Sequence, residues 1–264
     1  LVLAAGLSLL LVFTAIGQAN AENPPPHEIA ARVMPSVMLI VALDQAQEPI
    51  GFGSGFVITD GIVVTNAHVV ENSYNGVCKP VNDDNLFNVD EVVAFDKFMD
   101  IAVLRVSGLK KPPLVIGDST TVNIGEPVYA VGNPEGLEGT FSVGNVSAFR
   151  ENEGLRFIQI TAPISPGSSG GPVLNGRGEV VGIATAQLGE GQNLNFAVPV
   201  SYLKQLLDKR LIAYTKSTEV AMAPTPAPTS APTSAPTMVP TPAPRPTATP
   251  KAGGQPQIAW SQDR

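Results

Sequence analysis

Between Glu22 and Thr215, short runs of β-branched and apolar residues recur at close spacing, each bounded by Gly, Asp, Asn or Pro. They are SVMLIVAL (36–43), GSGFVI (53–58), IVVTNAHVV (62–70), VDEVVAFD (89–96) and IAVLRV (101–106). Further on come EPVYAVG (126–132), TFSVGNVSAF (140–149), RFIQIT (156–161), GPVLN (171–175), GEVVGIATA (178–186) and LNFAVPV (194–200). Many short strands without helical periods between them bury their apolar faces by packing sheet on sheet or by closing into barrels, so the expected class is all-β. Two helices are expected to bracket the strands. One lies near HEIAARVMP (27–35), and the other starts at Ser201 as N-cap and runs through YLKQLLDKRL.

The flanks differ in kind from this domain. Residues 1–21 carry no charged side chain and finish in Ala19-Asn20-Ala21, which reads as a secretory signal with its small-x-small cleavage pattern. The rival reading is a membrane anchor, but the apolar run over residues 1–17 falls a little short of the ~20 residues that span a bilayer. The domain is therefore expected to be exported, whether secreted, periplasmic or held at the cell surface. From residue 216, and sharply from Ala223, the composition turns to Pro, Thr, Ala and Ser, with APTSAPTSAPT at 227–237. Proline at that density predicts a disordered, extended tail without a core, suited to cell-surface association.

Cys78 is the sole cysteine, so no intrachain disulfide forms and stability must come from an apolar core. The chain carries a net charge of −7. Residues 216–264 contribute four cations against two acids and residues 1–21 contribute none, which leaves −9 on residues 22–215. An acidic domain lacks the clustered Lys and Arg that neutralise phosphates, so nucleic acid is excluded as a partner. No His, Cys, Asp or Glu cluster has metal-ligand spacing, and neither a metal nor a cofactor is expected.

Hydrolysis of an amide needs a nucleophile, a base, a group that orients the base, and donors for the oxyanion. Only His27 and His68 are available as a histidine base. His27 follows a proline run and reads as solvated or as part of a helix entry. His68 ends an apolar run expected to be a strand, where it suits either acid-base work or a buried structural role. PISPGSSGGPV (163–173) supplies the nucleophile candidates. Its glycines allow a tight turn in which backbone N-H groups converge, so Ser169 could present its hydroxyl with the amides of Gly167 and Ser169 facing an oxyanion. An ordinary Gly-Ser turn between strands is the bland alternative.

TNAHVV, FMDIAVLRV and SPGSSGGPV, in the order His, Asp, Ser, resemble the trypsin-like serine proteases, and most of all their HtrA/Deg branch. GSGFVI, AVGNPEGL and NLNFAVP extend the resemblance over residues 37–207. It implies two six-stranded antiparallel β-barrels, at about 36–122 and 123–212 within a protease domain of residues 22–215, and a short C-terminal helix. It also implies a triad of His68, Asp100 and Ser169, with Asp96 left as a turn residue. Pro163, Ile164, Thr185, Ala186, Gln187 and Asn195 then fall at substrate-binding positions. None is acidic, which favours small or medium apolar residues on the acyl side of the cut. The backbone of 185–187 is expected to pair with a protein or peptide substrate as an added strand.

Two positions depart from the family pattern: Ser168 stands where relatives usually have Asn, and Thr161 where they often have Asp. A PDZ domain, usual in that branch, is not expected in the Pro/Thr tail, and the chain is expected to be a monomer. Two rival functions remain open from the sequence. One is a dormant protease fold that binds peptides without cutting them, and the other is a surface protein whose tail is the working part.

Overall fold

The computed structural model describes residues 23–133, 139–185 and 194–209. Helix α1 (Pro26–Val33) leads into β1 (Val37–Leu43), β2 (Pro49–Thr59) and β3 (Ile62–Thr65). A one-turn helix, α2 (Ala67–Val70), precedes β4 (Asn75–Pro80), β5 (Phe87–Asn88), β6 (Glu91–Asp96) and β7 (Ile101–Arg105). The second half holds β8 (Pro127–Gly132), β9 (Thr140–Asn152), β10 (Leu155–Ile160), β11 (Pro172–Leu174), β12 (Val180–Thr185) and β13 (Asn195–Pro199). Residues 200–209 are helical. The leader, the tail, Ala186 and Gln187 lie outside the described residues.

The first half is a seven-stranded sheet in the order β5-β4-β1-β2-β3-β7-β6, and the second is a closed barrel in the order β10-β13-β12-β11-β8-β9. The strands pair antiparallel throughout. The second half is thus the expected six-stranded barrel. The first differs from the expectation by one strand and by remaining open among the described residues, because β5 pairs with β4 alone and β6 with β7 alone.

Three apolar clusters follow from strand alternation. Met38, Ile40, Val57, Val63 and Leu104 cluster on one face of the first sheet. Val146, Ile158, Ile160, Val173 and Val181 fill the barrel. The opposite faces meet in a third cluster, where Val37, Phe56 and Val64 of the sheet join Tyr129, Leu174 and Phe196 of the barrel. Ile29 and Val33 of α1 are buried in the same seam. Burial at about 25 cal/mol per Å² of apolar surface is what holds the halves together in the absence of a disulfide.

Three local expectations are corrected. The run at 62–70 is not one strand: pairing of β3 with β7 stops at Thr65, opposite Ala102, and the chain turns through Asn66 into α2. His68 therefore sits on a helical turn. The last helix starts at residue 200, so Ser201 is inside its first turn; the N-H of Ser201 is satisfied by Ser119 Oγ at 3.1 Å. The cap comes from a distant loop. Strand β4, NGVCKP, has a weak β composition, yet it alternates half-buried and buried residues against β1. No helix among the described residues is long and apolar enough to cross a membrane.

Candidate active site

Asp100 stands just before β7 with φ +54°, a left-handed conformation that Asp tolerates better than most side chains. Asn66, at the turn between β3 and α2, holds it there by donating from Nδ2 to the Asp100 carbonyl at 2.9 Å. In this posture the Asp100 carboxylate faces α2. Oδ1 accepts the backbone N-H of His68 at 3.1 Å, and His68 Nδ1 lies 2.9 Å from both Oδ1 and Oδ2. The ring is thereby gripped at two levels, through its backbone and its imidazole. A carboxylate at Nδ1 favours the tautomer with the proton on that atom, which leaves Nε2 able to accept one. Both side chains are about one-fifth exposed, so a reactant can reach them.

The segment 163–171 is tied into a compact turn. Ser168 N-H donates to Ser165 O at 2.9 Å, Gly171 N-H to Ser168 O at 3.0 Å, and Gly170 N-H to Ala184 O of β12 at 2.9 Å. Gly170 has φ +87°, and a Cβ there would come within 2.1 Å of Ser54 O and 2.3 Å of Thr65 Oγ1. Only glycine lets the turn lie this close to β2 and β3. The same approach seats Ser169 against β2, with the N-H of Ser54 donating to Ser169 O at 2.7 Å. Ser169 is buried but for 6% of its surface.

A cavity of about 110 Å³ opens beside this turn, lined by Pro163, Ile164, Ser165, Ser168 and Ala184 with residues of β8 and β9. Two of the expected substrate-binding residues, Pro163 and Ile164, thus line one space. Thr185 and Asn195 do not line it. Thr185 Oγ1 instead donates to Asp100 Oδ2 at 3.3 Å, and Asn195 Nδ2 donates to Ala162 O at 3.0 Å. Thr161 has a sheet role too, its Oγ1 accepting the N-H of Asn145 at 2.8 Å.

The competing candidates are engaged elsewhere. His27 is exposed on α1, and Asp96 accepts the N-H of Met99 at 2.9 Å as a turn residue. Burial, with the Asp90 charge adding to it, pushes the Cys78 thiol up to about 12, so it is no nucleophile. Among the described residues no three His, Cys, Asp or Glu side chains converge as a metal site. Sequence reasoning missed Ser54 and Asn66, and missed the side-chain role of Thr185. All three lie inside or beside the quoted motifs, but their partners are distant along the chain.

Residues 53–183 match the trypsin-like peptidase domain family. The chain carries a trypsin-like peptidase domain. The trypsin-like domain is 41% identical over 159 residues to a Synechocystis protein named as the serine protease HhoB, a match covering 57% of this chain and 38% of that one. A DegP-like periplasmic serine endoprotease of Chlamydia trachomatis is 39% identical over 167 residues, covering 60% of this chain and 33% of the relative. The chain therefore spans well under half the length of these relatives. Among solved structures, the serine endoprotease from Yersinia pestis superposes with TM-score 0.62 at 28% identity, over 71% of this chain and 66% of that one. The HtrA-type protease AlgW, solved with a tripeptide, superposes with TM-score 0.63 at 25% identity, over 70% and 63%.

Proposed function

We propose that the protein is an exported serine endopeptidase that cuts proteins or peptides through Ser169, His68 and Asp100. The observation that carries this reading is the double grip of Asp100 on His68, with Gly170, next to Ser169, packed against Thr65 and Asn66 where the chain turns toward His68. Ser169 attacks the scissile carbonyl as His68 Nε2 takes its proton, while Asp100 stabilises the imidazolium that forms. The N-H groups of Gly167 and Ser169 hold the oxyanion, each worth roughly 3 kcal/mol in the transition state. The proton then passes to the leaving amine, and water releases the acyl group by the same steps in reverse.

The cavity beside the 163–171 turn supports the finer reading of specificity. Its described lining carries no charged side chain, and a space of about 110 Å³ suits a small or medium apolar side chain at the acyl position. Export is supported by the leader-like residues 1–21 and by relatives named as periplasmic.

The test is covalent labelling with a fluorophosphonate probe, which needs an assembled nucleophile, base and oxyanion hole. Labelling of the parent but not of Ser169→Ala, with equal thermal stability, is the expected result. Labelling that persists in Ser169→Ala, or a folded parent that neither labels nor cleaves a peptide, would overturn the proposal.

A further inference from the structure

Ser54 of β2 is wholly buried and holds the nucleophile turn of the other half at two points. Its N-H donates to Ser169 O at 2.7 Å, and its hydroxyl donates to Gly167 O at 2.7 Å. The hydroxyl oxygen in turn faces Asn133, whose N-H lies at 2.9 Å and whose Nδ2 lies at 3.2 Å. A hydroxyl has one proton, and two donors on its lone pairs leave that proton one direction, toward Gly167. Asn133 is itself anchored, donating from Nδ2 to Met38 O at 2.9 Å and accepting the N-H of Gly139 on Oδ1 at 3.1 Å.

What this network orients follows from peptide geometry. In a planar trans peptide the N-H points away from the C=O. The carbonyl of Ser168 accepts the N-H of Gly171, so the N-H of Ser169, on the same peptide, is aimed to the opposite side. Ser54 pins the peptide on each side of that one: 167–168 through Gly167 O and 169–170 through Ser169 O. Gly167, at φ +95°, has no Cβ to restrict it, and the adjoining peptide needs such an anchor to keep one orientation.

We infer that Ser54 is a positioning residue whose hydroxyl, directed by Asn133, fixes the peptide before the oxyanion-binding amide of Ser169 and so sets that amide's orientation. The inference rests on the proposed role of the Gly167 and Ser169 amides. It makes the hole a joint product of both halves, since its donors belong to one and its brace to the other.

The test compares the full chain with Ser54→Ala on an apolar peptide p-nitroanilide and on a peptide trifluoromethyl ketone, which forms the tetrahedral adduct. Expected are a fall in kcat of at least about tenfold, tending toward the ~10²-fold loss of a missing oxyanion donor, and an equal loss of ketone affinity. KM should stay within about twofold, because ground-state binding is untouched. A kcat within about threefold of the parent, or a change in KM with ketone affinity kept, would overturn the inference.

Ser54→Cys keeps the shape with a weaker donor and should fall between the two, which preserves the test if the alanine variant does not fold. A crystal structure of whichever variant folds separates this inference from the proposed peptidase activity. A Gly167 carbonyl turned from its parental direction supports the brace even if the parent proves inactive, and one left in place refutes it.

Discussion

Thr185 and Asp100 meet across the two halves of the molecule, Thr185 Oγ1 of the barrel donating to Asp100 Oδ2 of the sheet at 3.3 Å. With the two donors of His68, this leaves the carboxylate surrounded by groups that give hydrogen bonds and none that take them. Such a site fits the shape of a carboxyl group, with partners placed at both oxygens. It also makes the imidazole orientation depend on strands β7 and β12 together.

Asp100→Asn is the most direct probe of that arrangement. The amide keeps the shape, but one of its two atoms now donates. If its oxygen keeps the His68 backbone N-H, its NH₂ faces Nδ1, which must then accept, moving the imidazole proton to Nε2 where the Ser169 proton should go. Kinetics on a peptide substrate should show kcat lower by about 10⁴-fold with the thermal midpoint little changed. A loss of less than about tenfold would remove Asp100 from the mechanism.

Much of this was legible in the sequence because two signals agreed. Runs such as IAVLRV and RFIQIT are β-branched and bounded by turn formers, so β7 and β10 fall within a residue of their expected ends. Strand β4 was not legible, since Gly76, Lys79 and Pro80 argue against a strand and only pairing with Val41 and Ile40 of β1 makes one. The run through His68 misled for the opposite reason. Its apolar residues suit a strand, and what ends it is the geometry at Asn66 and the lack of a partner beyond Ala102. His68, Asp100 and Ser169 carry local motifs, whereas Ser54 reaches Gly167 across 113 residues and Asn133 across 79. No local pattern records a bond of that span.

Two glycines with nearly the same backbone should respond very differently to alanine. Gly154 has φ +82° and open space around its missing Cβ, so Gly154→Ala should cost only the conformational strain, about 1–2 kcal/mol. Gly170 has φ +87°, but its Cβ would overlap Ser54 O and Thr65 Oγ1, so Gly170→Ala must displace backbone and should cost more than about 4 kcal/mol. Urea unfolding of the two variants measures both. Equal losses would mean that close approach is not why the turn needs glycine.

Asp83 links acid stability to a single ion pair. Lys111 Nζ lies 2.7 Å from Oδ2, and this bond, with further bonds from Asn85, holds the Asp83 carboxyl down at about 2. A carboxyl depressed by folding contributes stability above its ordinary value near 3.8 and loses it as the pH falls toward about 2. Lys111→Met should raise the Asp83 pKa only part of the way, because Asn85 remains. Thermal midpoints of parent and variant should differ at pH 5 and converge toward pH 2. A difference that stays constant over this range would show that Lys111 acts through packing and not through the carboxylate.

Cys78 gives the complementary test at high pH. It is buried in β4, facing the apolar cluster of the first sheet, and burial raises its pKa from 9.0 to about 12, with the nearby Asp90 charge adding to the effect. Folding therefore favours the neutral thiol, so the group contributes stability below its unfolded pKa and loses it as the pH climbs from about 9 to about 12. Cys78→Ala removes this linkage at the expense of a small cavity. The variant should be less stable than the parent at pH 7, with the gap narrowing above pH 9. In the native parent, an aromatic disulfide reagent at pH 8 should react only at the rate of unfolding, because thiolate attack needs both ionisation and access. Rapid reaction without loss of structure would mean that β4 opens locally, and that the first sheet is less firmly held at its β5 edge than its pairing implies.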